Sequence, residues 1–239
     1  MAQTSQALVS DVCAICKAPQ YLAQAGRFLN TILSDLAQCY DFPSSRQTNV
    51  FTIGPNAGNG YNTSFYVLAL PAGVTYLRTK EVFYSVSGTI FYLDQIALAD
   101  YDKLFQGTGI SNYPYWYTVN TEPGLAGGSP QMAFYPPPNL ALQPTIRSQF
   151  VPNDIVTPET SASVPWFPDQ RFLKTRMCAD LMMLTGDQRR EKFDADATTM
   201  LNAYAKMADD VENFATIVKL DRTKFRSTSD LKPTKTTGF

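Results

Sequence analysis

Apolar positions along the chain follow three successive rhythms: helical, then alternating, then helical again. Leu8, Val12 and Ile15 form one stripe with Val9, Cys13 and Cys16 beside it. This predicts a helix capped by Thr4 or Ser5 and running to about Lys17. Pro19 is placed to begin a second helix. There Tyr21, Ala25, Phe28 and Ile32 recur at helical spacing, and Leu22, Leu29, Leu33 and Leu36 widen the stripe. Much of that helix's circumference is therefore expected to be buried. Pro43 ends it.

From Thr48 the period shortens. Val50 to Ile53 reads as a strand, and Gly54 to Gly60 as a turn-rich loop. Ser64 to Leu70 and Glu81 to Ile96 are rich in Tyr, Phe, Val and Ile, with Ser87-Gly88 in the second run as a hairpin turn. Ala97 to Gln106 suits one short helix. Tyr113–Val119, Met132–Tyr135 and Thr145–Phe150 are further strand candidates between Pro- and Gly-rich connections. Proline cannot donate to a ladder, so several of these strands are expected at edges or to be short.

The helical period returns after Pro168. Phe172, Leu173, Met177, Leu181 and Leu184 mark a helix from Asp169 to Leu184, which Gly186 stops and Asp187 follows as the next cap. Phe193, Ala197, Met200, Tyr204, Met207, Val211, Phe214 and Val218 then alternate spacings of 4 and 3. That 3.5-residue repeat is the signature of lengthwise helix packing. The short linker makes the last two helices an antiparallel hairpin. The two N-terminal helices complete a four-helix bundle. The stripe is spent either inside one subunit, which the short-linked partner favours, or between subunits. The expected fold is α+β. A helical bundle comes from 1–47 and 168–221, an inserted antiparallel β-rich domain from 48–167, and a basic extended tail from 222–239.

Composition narrows the function. The net charge of −1 excludes a general nucleic-acid binder. It is also an average of unlike parts. Arg222, Lys224, Arg226, Lys232 and Lys235 against Asp230 give the tail +4, while the rest of the chain carries 15 basic and 20 acidic residues, a net of −5. The tail is either a solvated end or an arm that orders on a partner, with Phe225 and Phe239 as apolar anchors. The chain has no histidine, which excludes Ser-His-Asp and Cys-His catalysis and His-ligated zinc. Cys13-Ala-Ile-Cys16 has no second CxxC, so its sulfurs read as small core residues, with Cys39 and Cys178 elsewhere. Met1–Leu8 lacks the apolar run of a signal peptide, and no apolar stretch reaches a membrane-spanning length.

The sequence carries no recognisable reaction centre. Gly54 to Gly60 lacks the lysine and helix start of a phosphate loop. Asp94, Asp100 and Asp102, or Asp154 and Glu159, have nothing to orient them, and Asp194, Asp196, Asp209, Asp210 and Glu212 read as a solvated helix face. No Gly-x-Ser-x-Gly elbow occurs. No cofactor and no metal are expected. The sequence instead offers rigid aromatic clusters at Tyr113, Tyr115, Trp116 and Tyr117, at Phe134-Tyr135, and at Trp166-Phe167. Such side chains give much contact area for little lost entropy, either in a core or at an interface.

A set of short motifs, in order, carries a family likeness. These are Phe28-Leu29-Asn30, Leu36 to Phe42, Leu70-Pro71, Tyr76-Leu77-Arg78, Val82-Phe83-Tyr84, Phe134-Tyr135-Pro136, Pro165 to Gln170, Leu181-Met182 with Asp187-Gln188-Arg189, and Leu220-Asp221 before Phe225. The chain from Leu8 to Arg226 resembles the head-to-tail connectors of short-tailed bacteriophages, the adaptor or tail tubular protein A type. The resemblance implies a non-enzymatic virion protein of the neck, made in the host cytoplasm. It implies a homo-oligomeric ring, typically dodecameric, docked under the portal protein, joined to the tail nozzle protein and surrounding the genomic DNA channel without a membrane. On that reading Arg222, Lys224, Phe225, Arg226, Lys232, Lys235 and Phe239 form the portal-binding tail. Tyr113, Tyr115, Trp116, Tyr117, Tyr135, Trp166 and Phe167 form the subunit or nozzle interface. A net acidic body suits a channel, because a basic lining would hold phosphate backbone and slow it. The alternative is a phage tail module that stacks these aromatics on a carbohydrate receptor. A histidine-free carboxylate lysin is the third reading.

Overall fold

The computed structural model describes residues 3–50, 52–54, 65–68, 70, 72–104, 113–121 and 129–217, with side chains described to 208. Among these residues the chain forms five α-helices and one curled seven-stranded sheet, a mixed α+β fold.

Helix α1 (Ser5–Ile15) starts where Thr4 accepts the Ala7 N–H at 3.3 Å. The first free N–H groups of α1 find carbonyls far along the chain. Ser5 donates to Ser163 at 2.8 Å and Gln6 to Ser161 at 3.1 Å, which removes the usual cost of an unpaired helix start. Pro19–Tyr21 makes a single 3₁₀ turn rather than the first turn of a helix, and α2 (Leu22–Cys39) begins after it. Helix α4 (Gln170–Thr185) is capped by Asp169, which accepts from Arg171 and Phe172, and ends on Gly186 at φ 68° as the sequence predicts. Helix α5 (Arg190–Ile217) follows the turn at Asp187.

Helices α1, α2, α4 and α5 bury one apolar cluster, with Leu8, Val12, Leu29, Leu33, Leu36, Leu173, Met177, Leu181 and Ala197 at its centre. Each of the Leu, Val and Met side chains contributes ~1.5–3 kcal/mol of burial. Ile15, Leu22 and Leu184, expected on the buried stripes, are exposed and lie in the end turns of their helices. Of the pair expected in the core, Cys13 is buried and Cys16 half-buried; Cys178 is buried as well, and Cys39 is exposed at the last turn of α2.

The sheet has the order β1-β7-β3-β4-β5-β6-β2. Strand β1 (Arg46–Val50) pairs antiparallel with β7 (Thr145–Pro152), so the strand expected at Val50–Ile53 starts earlier. Its polar Arg46-Gln47-Thr48-Asn49 is tolerable because β1 is an edge strand. Ile53 instead makes an isolated antiparallel bridge with Leu142. Strand β2 (Phe65–Val67) is the other edge. Strand β3 (Val74–Val86) begins seven residues before the predicted Glu81, since its first half pairs with Val151, Phe150 and Gln149. Two register shifts there make Leu77 and Lys80 the extra residues opposite β7, and the charges of Arg78 and Lys80 hide the strand in the sequence. Strand β4 (Thr89–Gln95) returns across Ser87 and Gly88, at φ 50° and 81°, the left-handed pair that a tight two-residue hairpin requires.

The expected all-antiparallel sheet is corrected at one place. After helix α3 (Leu98–Leu104), strand β5 (Trp116–Asn120) runs parallel to β4, because a helical connection permits the crossover that a hairpin cannot. Strand β6 (Gln131–Tyr135) then pairs antiparallel with β5. The inner face of the curl holds a second cluster of Ile53, Leu68, Val82, Tyr84, Tyr117, Met132, Phe134, Leu142 and Ile146.

Two amides tie helices to strands and loops. Asn30 of α2 donates to the Ile155 carbonyl at 3.0 Å and accepts the Ile155 N–H at 3.1 Å. Gln149 of β7, fully buried, donates to the carbonyls of Ala37 and Tyr40 and accepts from Arg78 Nε at 2.8 Å.

Candidate interaction surface

Strand β5 meets β4 only at Asp94 and Gln95. Towards the Ser87-Gly88 turn the β3–β4 hairpin therefore stands as a two-stranded ribbon, and its apolar residues show on both faces. Ile90, Phe91 and Tyr92 are 45%, 43% and 45% exposed. On the outer face Phe83 lies 5.4 Å from the Tyr92 ring, with the Arg147 guanidinium 5.2 Å above Phe83. That guanidinium is also held by Glu81 at 2.7 Å.

On the inner face three rings stack through Tyr84. Phe91 lies 5.4 Å from it on one side and Tyr113 6.4 Å on the other, both nearly parallel. Tyr84 is 2% exposed and its hydroxyl donates to the Pro114 carbonyl at 3.1 Å. Burial, reinforced by neighbouring tyrosines, pushes its pKa up to about 12. Tyr84 thus fixes two half-exposed rings in place, which lowers the entropy cost of using them in a contact.

The structure divides the sequence-predicted aromatics. Tyr115 is 57% exposed and Tyr113 sits in the stack just described. Trp116 is half-buried, stacked at 6.1 Å on Tyr135, which meets Tyr101 edge-on. Tyr117 and Phe167 are core residues in the single chain. Alternation in β5 turns Tyr117 inward, where burial raises its pKa to about 12. Phe167 lies between Phe42, Phe172 and Tyr204 in the helical core, and half-buried Trp166 packs beside it. Arg222, Lys224, Phe225, Arg226, Lys232, Lys235 and Phe239 lie outside the described residues. The exposed trio Ile90, Phe91 and Tyr92 was not singled out from sequence. The available signal was three consecutive apolar residues beside a Ser-Gly turn, more than a strand with one buried face needs.

A second surface lies among the helices. A groove of about 230 Å³ opens between α2, α4 and α5, floored by Ile32, Leu36, Phe172 and Leu201 and rimmed by Asp35, Cys39 and Arg176.

The titratable groups point to structure. Burial raises the pKa of Cys13, Cys16 and Cys178, the opposite of an activated thiol. Burial also works against ionisation of Asp41, but hydrogen bonds from Arg46, at 2.9 Å, and Lys80 outweigh it and hold the carboxyl below its usual range. Asp100 pairs with Lys103 at 3.1 Å. Among the described residues no group of three or more Cys, Asp or Glu is placed to hold a metal ion, and no helix is long and apolar enough to cross a membrane.

No curated protein matches the chain. The sequence model of the SU10 adaptor protein family matches residues 3–223, which takes in every helix and strand described above. The chain thus belongs to the SU10 adaptor protein family, a structural family of bacteriophage head–tail adaptors.

Proposed function

We propose that the protein closes into a dodecameric ring between the portal and the tail nozzle of a short-tailed phage, around the channel through which the genome leaves. The family match over residues 3–223 carries this reading. The four long helices act as a bundle from 1–47 and 168–221, and 48–167 as a β-rich insertion whose last stretch, around Trp166 and Phe167, lies on the helices. The ribbon of Ile90, Phe91 and Tyr92, with Tyr113, Tyr115, Trp116 and Tyr135 beside it, makes lateral or nozzle contacts. A patch of large exposed apolar residues on one hairpin is costly in a free subunit and suits a surface covered on assembly. The basic tail from Arg222 to Phe239 engages the portal, and the net charge of −5 on the body lets DNA slide past. The role is structural rather than catalytic.

Electron microscopy of the protein mixed with purified portal tests the reading. A second ring of matching symmetry under the portal is expected. Portals that stay bare at saturating protein overturn it.

A further inference from the structure

Three cysteines meet where α1 lies on α4. The two helices run side by side in the same direction. Gln170 Nε2 donates to the Gln3 carbonyl at 3.4 Å, Lys174 pairs with Asp11 at 2.5 Å, and Cys16 Sγ donates to the Cys178 carbonyl at 3.9 Å. The Cys16 and Cys178 thiols are also hydrogen-bonding neighbours, and Cys13 lies within electrostatic range of both. Cys13 and Cys178 are 2% and 0% exposed, whereas Cys16 is half-buried. One sulfur of the cluster is thus open to a small reagent, and the other two are closed to it.

We infer that Cys16 and Cys178 are the site of an oxidative modification, a disulfide that ties α1 to α4 and forms with a peroxide as oxidant. Of the three sulfurs, Cys16 Sγ is the one that solvent reaches, so it meets the oxidant. As the thiolate it attacks one peroxide oxygen, the O–O bond breaks, and hydroxide leaves as water with the proton the thiol gave up. Cys16 is then a sulfenic acid. The Cys178 sulfur attacks the Cys16 sulfur, the S–O bond breaks, and a second water leaves with the Cys178 proton. Two thiols are oxidised to one disulfide, and one hydrogen peroxide is reduced to two waters. Cys178 needs no access to solvent, because its target is the neighbouring sulfur.

Cys13 is the competing partner and is badly placed. Residues three apart on a helix hold their Cβ atoms ~5–6 Å apart, beyond the ~3.5–4.5 Å that a disulfide spans. Cys16 is the C-cap of α1, after its last helical residue, and Lys17 turns away at φ 54°. It is therefore freer to turn towards α4 than a residue inside the helix. Burial raises both thiols, which slows their reaction at neutral pH, so the link forms gradually. It joins positions 162 apart and closes a loop that holds the whole β-rich insertion. On the virion reading above, the chain folds inside a bacterial cell, where thiols stay reduced, and serves in a particle that leaves it. That setting rests on the reading; the chemistry of the pair does not.

The test uses the full chain with Cys39→Ser, which removes the exposed thiol. The folded protein is treated with hydrogen peroxide, alkylated and digested without reduction. A peptide joining Cys16 to Cys178 is expected, with an intact mass short of two hydrogens. The thermal midpoint is expected to rise by roughly 5–10 °C and to return with reductant. Adding Cys16→Ser abolishes both changes, and adding Cys178→Ala leaves Cys16 to continue to the sulfinic acid. If Cys16 reaches the sulfinic acid with Cys178 present, or joins Cys13 instead, the link is wrong. Docking on portals is read separately by microscopy. A chain that docks but never links overturns the link and leaves the ring standing, and one that links but never docks does the reverse.

Discussion

The Gln149 side chain leaves the sheet and ends the helix: its Nε2 donates to the carbonyl of Ala37 at 2.9 Å, in the last turn of α2. The same nitrogen reaches the Tyr40 carbonyl at 2.6 Å, and Oε1 accepts from Arg78. One buried amide therefore satisfies helix-end carbonyls and a strand guanidinium at the junction of helices and sheet. Gln149→Leu keeps the volume and strands these partners. At ~1–3 kcal/mol for each buried group left unpaired, a loss of about 2–4 kcal/mol is expected in urea unfolding. A loss below about 1 kcal/mol would show that water replaces the amide.

The two raised tyrosines give the protein an alkaline limit. A group whose pKa is higher folded than unfolded contributes stability that is complete below the unfolded value and fades as pH climbs to the folded one. For Tyr84 and Tyr117 that window runs from about 10 to about 12. Unfolding midpoints are expected to fall across it, and Tyr84→Phe with Tyr117→Phe to flatten the fall. An unchanged slope in the double variant would assign the fall to other groups.

Asp41 acts in the opposite direction. Its folded pKa lies below the ordinary value of 3.8, so its contribution is present above that pH and is lost as pH drops through the folded value. Asp41→Asn is expected to cost about 1 kcal/mol at neutral pH, the scale of a partly exposed pair. The difference from wild type should shrink in acid. Thermal melts across the acid range check the convergence.

Phe167 and Tyr115 separate core from surface among the aromatics. Phe167→Ala empties the centre of a ring cluster and is expected to cost ~3–5 kcal/mol. Tyr115→Ala and Phe91→Ala are expected to leave unfolding within ~1 kcal/mol of wild type and to reduce ring occupancy on portals. Normal occupancy with both rings removed would exclude the ribbon from the assembly contacts.

Helix legibility in the sequence came from periodicity and caps. Thr4, Asp169 and Gly186 act where their chemistry predicts, because capping is decided within a few residues. The sheet was less legible. Arg78 and Lys80 sit in β3, and Arg46 to Asn49 make β1, because pairing with β7 overrides local propensity. The parallel β4–β5 step depends on a crossover that no alternation records. At the candidate surface the residue types were legible and their exposure was not. Tyr115 and Tyr117 are two residues apart in one aromatic run, yet one is 57% and the other 3% exposed.

The bonds from Ser5 and Gln6 to the carbonyls of Ser163 and Ser161 also set a schedule for the newly made chain. Helix α1 waits for a stretch more than 150 residues downstream, since Ser5 and Ser161 are 156 positions apart, and β1 waits for β7. Loops of that length close slowly compared with helix formation. The groove needs α2, α4 and α5 together. Both halves of the chain must therefore be made before the start of α1, the edge strand β1 and the groove are complete.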